Sequence, residues 1–290
     1  MVKSKRSKVA SQERAAAMHE PRNVKSAHTD NETMMMHAGM PETFAEMLRL
    51  NVEIRRVLKL PPWLKFLLPY ERRDQASLSA TEQQRFLCAF NVLNANGTLG
   101  QLVDIHAQPH QMHHTLRFLP WHRIYLIKLE QALRAIHPDV TLPYWDWTKN
   151  TEQSIPAWLV GVTPTVVTPT QTIAVIRASN SSSDLATIAS NTPTALAQTT
   201  FNTFTSTLEG IHDSIHVWVG GTMGSIPTAP ADPLFWMHHC NIDRLWWQWQ
   251  TSPAGAGKNP PLSGAAAVMD PWPATEADTR DIVALGYTYA

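Results

Sequence analysis

The sequence has few cysteines and no long apolar run. Its only two cysteines, Cys88 and Cys240, cannot build a disulfide scaffold, so we expect a fold that does not depend on an oxidising compartment. The apolar runs are shorter than the roughly 20 residues that a bilayer span requires. We therefore expect a protein without a membrane span.

The sequence also lacks an excess of charge of either sign. Lys plus Arg and Asp plus Glu both number 24, which gives no electrostatic reason to expect nucleic acid or an anionic membrane as a partner. No apolar segment follows the basic N-terminus, as a secretory signal would require. We expect a cytoplasmic protein, or one exported with a partner. The composition does not indicate an oligomeric state.

The chain divides by composition into an arm and one large domain. Residues 1–40 are polar and charged, and we expect a flexible or loosely docked N-terminal arm there. Residues 41–290 are expected to form a single, mainly α domain, because helical periodicity recurs on both sides of a Thr-, Ser- and Pro-rich segment. That segment, at about 161–205, predicts a loop-rich insertion with short strands.

Capping residues mark where two of the helices begin. Ser79, with Glu82 three residues later, predicts a capping box for a helix that ends near Gly97. Asp232, followed directly by Pro233, predicts the start of another helix. The second of these helices carries histidines.

Histidine is abundant, with 13 residues, and it is clustered. His212 and His216 are four apart and would project from one face of a helix. His238 and His239 diverge by about 100°, so only one of them should face the same ion. Asp243 lies on the His239 side, where a carboxylate can accept an imidazole N–H. The pattern indicates three nitrogen ligands, namely His212, His216 and His239.

A second group of histidines occupies residues 106–122. Its members are His106, His110, His113, His114 and His122. Histidines on separate helices of one antiparallel bundle can place two ions opposite each other. Imidazole ligation without carboxylates suits copper better than magnesium, calcium or manganese.

Two long motifs resemble those of the tyrosinase family. Residues 113–130 are similar to the first copper-binding signature of tyrosinases, and residues 232–243 are similar to the second. The stretches HDSIHVWVGG, PYWDW and GYTY resemble further landmarks of the family. The similarity extends over about residues 70–290, and the two motifs occur in the family's order.

The resemblance implies an antiparallel four-helix bundle, mainly α with long loops and a few short strands, that encloses two copper ions. Three histidines would hold each ion. The expected ligands of copper A are His106, His113 and His122. The expected ligands of copper B are His212, His216 and His239. The short interval between His106 and His113 keeps His110 as a rival first ligand. His114 and His238 are expected to be buried neighbours of ligands.

The resemblance also implies an activity, with O2 as the co-substrate. Monophenols would be hydroxylated to o-diphenols, and o-diphenols oxidised to o-quinones. Asp213 or Glu209 would activate the phenol, and Ile226 would guide the substrate ring over copper B.

Other functions remain alternatives. Asp213 stands where hydroxylating relatives usually have asparagine, so a catechol or o-aminophenol oxidase with little monophenolase activity is the alternative enzyme. Oxygen carriage and a dizinc or di-iron hydrolase are alternatives of other classes. A caddie or copper-delivery protein is an expected partner beside the small phenolic or catecholic substrate.

Overall fold

A computed structural model describes residues 69–108, 112–180 and 182–290, without the side chains of residues 182 and 183. The arm predicted over residues 1–40 and the rival ligand His110 lie outside the described residues. In the described part, no helix is both long and apolar enough to cross a membrane.

Seven α-helices and four short strands lie within the described residues. The helices are α1 (Ala80–Ala95), α2 (Thr98–Ala107), α3 (Phe118–Ile136), α4 (Ser182–Ala189), α5 (Thr192–Leu196), α6 (Phe201–Val219) and α7 (Pro233–Thr251). The strands are β1 (Tyr70–Arg72), β2 (Thr165–Val167), β3 (Thr172–Ala174) and β4 (Tyr287–Tyr289). β1 pairs with β4 in parallel, and β2 pairs with β3 in an antiparallel hairpin.

The predicted helix starts are confirmed by their capping bonds. Ser79 and Glu82 form a capping box at the start of α1, and Gly97 follows its end with a φ of 83°. The Asp232 carboxylate accepts the Leu234 N–H at the start of α7. Each cap satisfies backbone donors that have no partner inside the helix.

The insertion contains more helix than its composition predicted. Besides the β2–β3 hairpin it holds α4 and α5, and α6 already begins at Phe201. Leu185, Ala189 and Ala195 are buried, so both short helices pack an apolar face inward. The Ser and Thr residues around them mask this spacing, which is why a loop was predicted.

α3 and α7 form the centre of the molecule and pack against each other. Both are buried on most of their surface, as expected of helices enclosed by other elements. α1 packs on α3, whereas α4 and α5 pack on α6. The four helices that carry the histidine motifs, α2, α3, α6 and α7, are thereby brought together.

A buried ionic cluster around Asp243 connects α3, α7 and the two ends of the described chain. The Asp243 carboxylate accepts from Arg123 Nε and, at 3.2 Å, from Arg72 Nη1. Tyr287 and Tyr289 each donate their hydroxyl to Asp243 Oδ2 at 2.6 Å. Burial alone would raise the pKa of Asp243, but the Arg123 and Arg72 guanidiniums hold it below its ordinary value.

The contact between Asp243 and an imidazole that the sequence suggested does not form. All the hydrogen bonds described for the Asp243 carboxylate come from arginine and tyrosine, because Arg72 on β1 and Arg123 on α3 pack against it. Glu130 also contributes structurally, since its Oε2 accepts from Arg72 Nη2 at 2.6 Å. Asp243 therefore holds helices together instead of orienting a histidine.

We expect Asp243→Asn to lower the free energy of unfolding by about 3–5 kcal/mol, because it leaves the buried Arg123 guanidinium without its carboxylate and removes one of the two carboxylates bound to Arg72. Urea unfolding of the metal-free protein at neutral pH measures this loss. The carboxylate's contribution is present above its unfolded pKa of about 3.9 and is lost as the pH falls through the lower folded value. The difference from the parent should thus shrink in acid. The exposed Asp139→Asn is the matched control, and equal losses in both variants would contradict the assignment.

Candidate metal centre

Two groups of histidines converge in the described part of the chain. In each group, one ring nitrogen per residue lies within 4.8 Å of the others. The first group is His106, His113 and His122. The second group is His212, His216, His238 and His239. The six ligands predicted from the sequence all lie in these groups.

The first group joins the end of α2, the loop before α3 and the second turn of α3. His106 Nε2 lies 3.4 Å from His122 Nε2. The His113 ring centroid is 5.1 Å from the centroid of each of these two rings. His106 is 1% exposed and His122 is 3% exposed, so two of the three rings are shielded from water.

The second group joins α6 to α7 and faces the first. His239 Nε2 lies 3.0 Å from His212 Nε2 and 3.2 Å from His216 Nε2. The rings of His122 and His239 stack with centroids 4.5 Å apart. The two groups therefore face each other across the α3–α7 contact, each with its ring nitrogens close together.

Backbone carbonyls fix three of the rings through Nδ1. A carbonyl can only accept, so in each pair Nδ1 carries the hydrogen and Nε2 keeps its lone pair. The pairs, with Nδ1–O distances of 2.9, 2.9 and 2.7 Å, are His106 with Ile226, His122 with Phe118, and His216 with Met223. These bonds leave the nitrogens that a metal needs facing the centre.

Two of those carbonyls come from the short segment 221–226 that follows α6. The segment anchors one histidine of each group, His216 through Met223 and His106 through Ile226. Gly221 makes its path feasible, because it has a φ of 55° and a Cβ there would lie 2.3 Å from the Ile176 carbonyl oxygen.

Asp213 supplies the carboxylate contact that the sequence had suggested for Asp243. Asp213 Oδ1 lies 3.0 Å from His212 Nδ1 and accepts its N–H. His239 Nδ1 is buried without a hydrogen-bond partner among the described residues. Four of the six predicted ligands thus have an oxygen that orients the ring.

The donor set fits copper. Neither group contains a thiolate or a carboxylate, and imidazole alone suits copper better than the metals that prefer oxygen. Two nitrogens that share one first-row ion at about 2.0–2.1 Å stand about 3.3 Å apart in a tetrahedral arrangement. The Nε2–Nε2 distances of 3.0–3.4 Å are close to that separation.

Burial keeps the histidines neutral. It lowers the pKa of His113 to about 4, with the neighbouring His216 adding to the effect, and it lowers the pKa of His216 to about 4. Burial likewise lowers the pKa of His122, His212 and His239 well below the ordinary value. Since only neutral imidazole binds a metal, the site is ready for metal at neutral pH.

A cavity of about 210 Å³ opens onto both groups. Its walls include His106 and His113 of the first group and His212 and His216 of the second. Asp213 and Ile226 line it as well, so both candidates from the sequence lie where a small molecule would reach the centre. Ile226 is 48% exposed and stands at the mouth.

Glu209 lies beside this cavity rather than in its wall. It lines a neighbouring cavity together with His114 and Asp213. Its Oε1 accepts the His114 backbone N–H at 2.6 Å, and burial raises the pKa of the carboxyl to about 7. Glu209 thereby fixes the loop that carries His113.

The prediction that His114 is a buried neighbour of a ligand was wrong, whereas His238 is buried as expected. The His114 side chain is 73% exposed. Its backbone has a φ of 54°, the one positive φ of a non-glycine residue in the described part of the chain. The bond from its N–H to Glu209 holds this conformation and turns the side chain outward.

Sequence reasoning missed two apolar residues of the cavity. Val217 is 69% exposed and directly follows His216, and Met223 lies in the next turn of the chain. The position of Val217 beside a ligand could have indicated it. The anchoring carbonyls of Ile226 and Met223 have no sequence signal, because any residue offers a carbonyl.

Comparisons with known proteins point to one family. The sequence model of the common central domain of tyrosinase matches residues 96–176 and 165–252. The tyrosinase of Streptomyces glaucescens is 31% identical over 271 residues, covering 75% of this chain and 98% of that protein. The tyrosinase of Streptomyces antibioticus is 30% identical, covering 69% and 92%.

Solved structures share the fold. A functional unit of octopus hemocyanin superimposes with a TM-score of 0.65 at 25% identity, covering 76% of this chain and 68% of that chain. Tyrosinase from Burkholderia thailandensis superimposes with a TM-score of 0.62 at 19% identity, covering 77% and 73%. The predicted fold class, mainly α around a histidine-rich centre, is confirmed.

We expect the metal-free protein to lose stability as the pH falls from about 7 to about 5. The buried histidines have lower pKa values folded than unfolded, so the unfolded chain binds more protons in this range and stability falls with pH. Each such histidine contributes up to about 1.4 kcal/mol per pH unit. His122→Gln should make the pH dependence of the unfolding free energy shallower, whereas exposed His114→Gln should not. Identical slopes for the parent and the His122 variant would refute this.

Proposed function

Because the chain belongs to the tyrosinase family, we propose that it hydroxylates monophenols to o-diphenols with O2 and oxidises o-diphenols to o-quinones. Membership already makes it a tyrosinase-type oxidoreductase that oxidises phenols with copper; hydroxylation of the monophenol is the finer proposal. The observation that carries it is the pair of facing histidine groups at one cavity, with a carboxylate in the wall.

In this proposal each histidine group holds one copper ion. His106, His113 and His122 would hold copper A. His212, His216 and His239 would hold copper B. The bound ions would supply activation of O2 and the redox change. The protein's own contribution is to hold six imidazole rings in place before any metal binds.

The apolar residues at the cavity mouth hold the aromatic ring of the substrate. Ile226 and Val217 present exposed side chains there, and Met223 lies deeper in the wall. A phenol entering between them would point its hydroxyl toward the histidines and Asp213. The same exposed pair is a surface that a caddie or copper-delivery protein would cover.

Asp213 is the residue that we assign as the acceptor of the phenol proton. Its side chain is 42% exposed, lines the cavity and keeps Oδ1 on His212 Nδ1. The other carboxylate oxygen, Oδ2, is the acceptor we assign to the phenol proton, which prepares the ring for oxygen transfer. Glu209 is the weaker candidate, because its side chain is 5% exposed and its Oε1 is bound to the His114 N–H.

A catechol or o-aminophenol oxidase is the second candidate. The bond between Asp213 Oδ1 and His212 favours it, since that carboxylate has less freedom to take a substrate proton. The grixazone synthase of Streptomyces griseus is also similar, at 29% identity over 62% of this chain and 83% of that protein. Initial rates on a monophenol and on its catechol separate the two. Turnover of the catechol alone would favour the second candidate.

We expect about two copper ions per loaded parent chain and about one after His239→Ala, because three nitrogens of one group would then become two. His238→Ala is the matched control, being the adjacent buried histidine, and it should retain both ions. Elemental analysis after dialysis measures the copper content. If the His239 variant still binds two copper ions, or if the His238 variant binds only one, the assignment of His239 as the ligand is wrong.

Hydroxylating relatives usually carry asparagine at this position, but an amide takes up no proton, and Glu209 is bound to the His114 N–H in this chain. Asp213→Asn should therefore lower monophenol turnover by about 100-fold or more, the usual size of a general-base contribution. The amide oxygen can still accept the His212 N–H, so catechol oxidation should stay within about twofold of the parent. The ratio of the two initial rates is the measurement. If Glu209→Gln lowers this ratio and Asp213→Asn does not, Glu209 is the proton acceptor.

A further inference from the structure

His238 belongs to the second histidine group but differs from its neighbours in hydrogen bonding. Its ring centroid lies 5.1 Å from that of His212 and 5.0 Å from that of His216. One of its nitrogens is within 4.8 Å of a ligand atom of each other member. Distance alone therefore does not exclude His238 from the copper.

The partner of His238 Nδ1 is an indole. Trp147 Nε1 lies 3.1 Å from His238 Nδ1. An indole N–H can only donate, so His238 Nδ1 must accept, and a neutral His238 carries its hydrogen on Nε2. Among the described residues, no side chain lies within hydrogen-bonding distance of its buried Nε2.

The tautomer of His238 is the reverse of the one that backbone carbonyls set at His106, His122 and His216. Those rings carry hydrogen on Nδ1 and offer the Nε2 lone pair. His238 has hydrogen where they have the lone pair, so its Nε2 cannot bind a metal without first losing a proton.

The segment that holds Trp147 is itself fixed. Trp145 N–H donates to the Met237 carbonyl at 3.1 Å, next to His238 in the chain. The Trp145 indole donates to the Glu152 carbonyl at 2.8 Å. Trp147 is 0% exposed, so its indole is enclosed by protein and water does not compete for its N–H.

We propose that Trp147 is a positioning residue that fixes His238 as the Nε2–H tautomer and so keeps it out of the metal coordination. The second group then binds copper through three imidazoles, although four are within reach. A catalytic metal needs a position open for substrate, and a fourth imidazole would fill it. The inference rests on the proposed copper centre, but the tautomer is a property of the metal-free protein.

Nitrogen-15 NMR of metal-free protein with labelled histidine tests the tautomer directly. His238 is identified by the signals that disappear in His238→Phe. We expect its hydrogen on Nε2 and that of His122 on Nδ1. On addition of two equivalents of zinc(II), a redox-inert probe, the Nε2 signals of the six ligands should shift while His238 keeps its Nε2 proton. Hydrogen on His238 Nδ1, or loss of the Nε2 proton with zinc, would overturn the proposal.

Trp147→Phe removes the donor while keeping an aromatic ring. We expect His238 to populate both tautomers in this variant and to lose its Nε2 proton when zinc is added, as a fourth imidazole joins the ion. Trp249→Phe is the matched control, because that buried indole donates to the Gln198 carbonyl at 2.7 Å and touches no histidine bond. Its spectrum should match the parent's. Parent-like behaviour of His238 in Trp147→Phe would contradict the proposal.

The parent spectrum decides the proposal even if Trp147→Phe does not fold. It also separates two kinds of failure. If zinc shifts none of the six ligand signals, the copper centre has been assigned to the wrong residues. If the six shift but His238 carries its hydrogen on Nδ1, only the role of Trp147 is wrong.

Discussion

The centre depends on where each imidazole carries its hydrogen. A neutral histidine has one N–H and one lone pair, and an oxygen beside Nδ1 decides which nitrogen has which. Carbonyls do this for His106, His122 and His216, and the Asp213 carboxylate does it for His212. If the rings were placed correctly but their tautomers were not fixed, some of the nitrogens at the centre would carry a hydrogen and could not bind metal.

The helices place those oxygens, and the ionic cluster holds the helices. α3 and α7 carry one ligand each and are buried on most sides, so their relative position sets the distance between the histidine groups. Asp243 joins α7 to Arg123 on α3 and to Arg72 on β1. Salt bridges between buried groups contribute little net stability against an apolar alternative, but the loss of one partner is strongly destabilising because it leaves a buried charge unpaired.

The sequence predicted what depends on spacing along one helix. His212 and His216 share a face because they are four residues apart, and two helix starts follow from the N-cap residues Ser79 and Asp232. Contacts between distant segments were not predictable, since the Asp243 carboxylate that the sequence assigned to an imidazole binds Arg72, which lies 171 residues earlier in the chain. The short helices of the insertion were missed because the Ser and Thr residues around them mask the spacing of their apolar residues. The outward turn of His114 depends on a single bond to Glu209, 95 residues away.

Ile226 contributes to the centre with two different parts of the same residue. Its carbonyl orients His106, while its side chain stands at the mouth of the cavity. The carbonyl belongs to the backbone and is kept whatever side chain occupies the position. Variation at residue 226 could therefore reshape what enters the cavity while leaving the ligand geometry alone, which makes this position a natural place for substrate range to diverge between descendants of one gene.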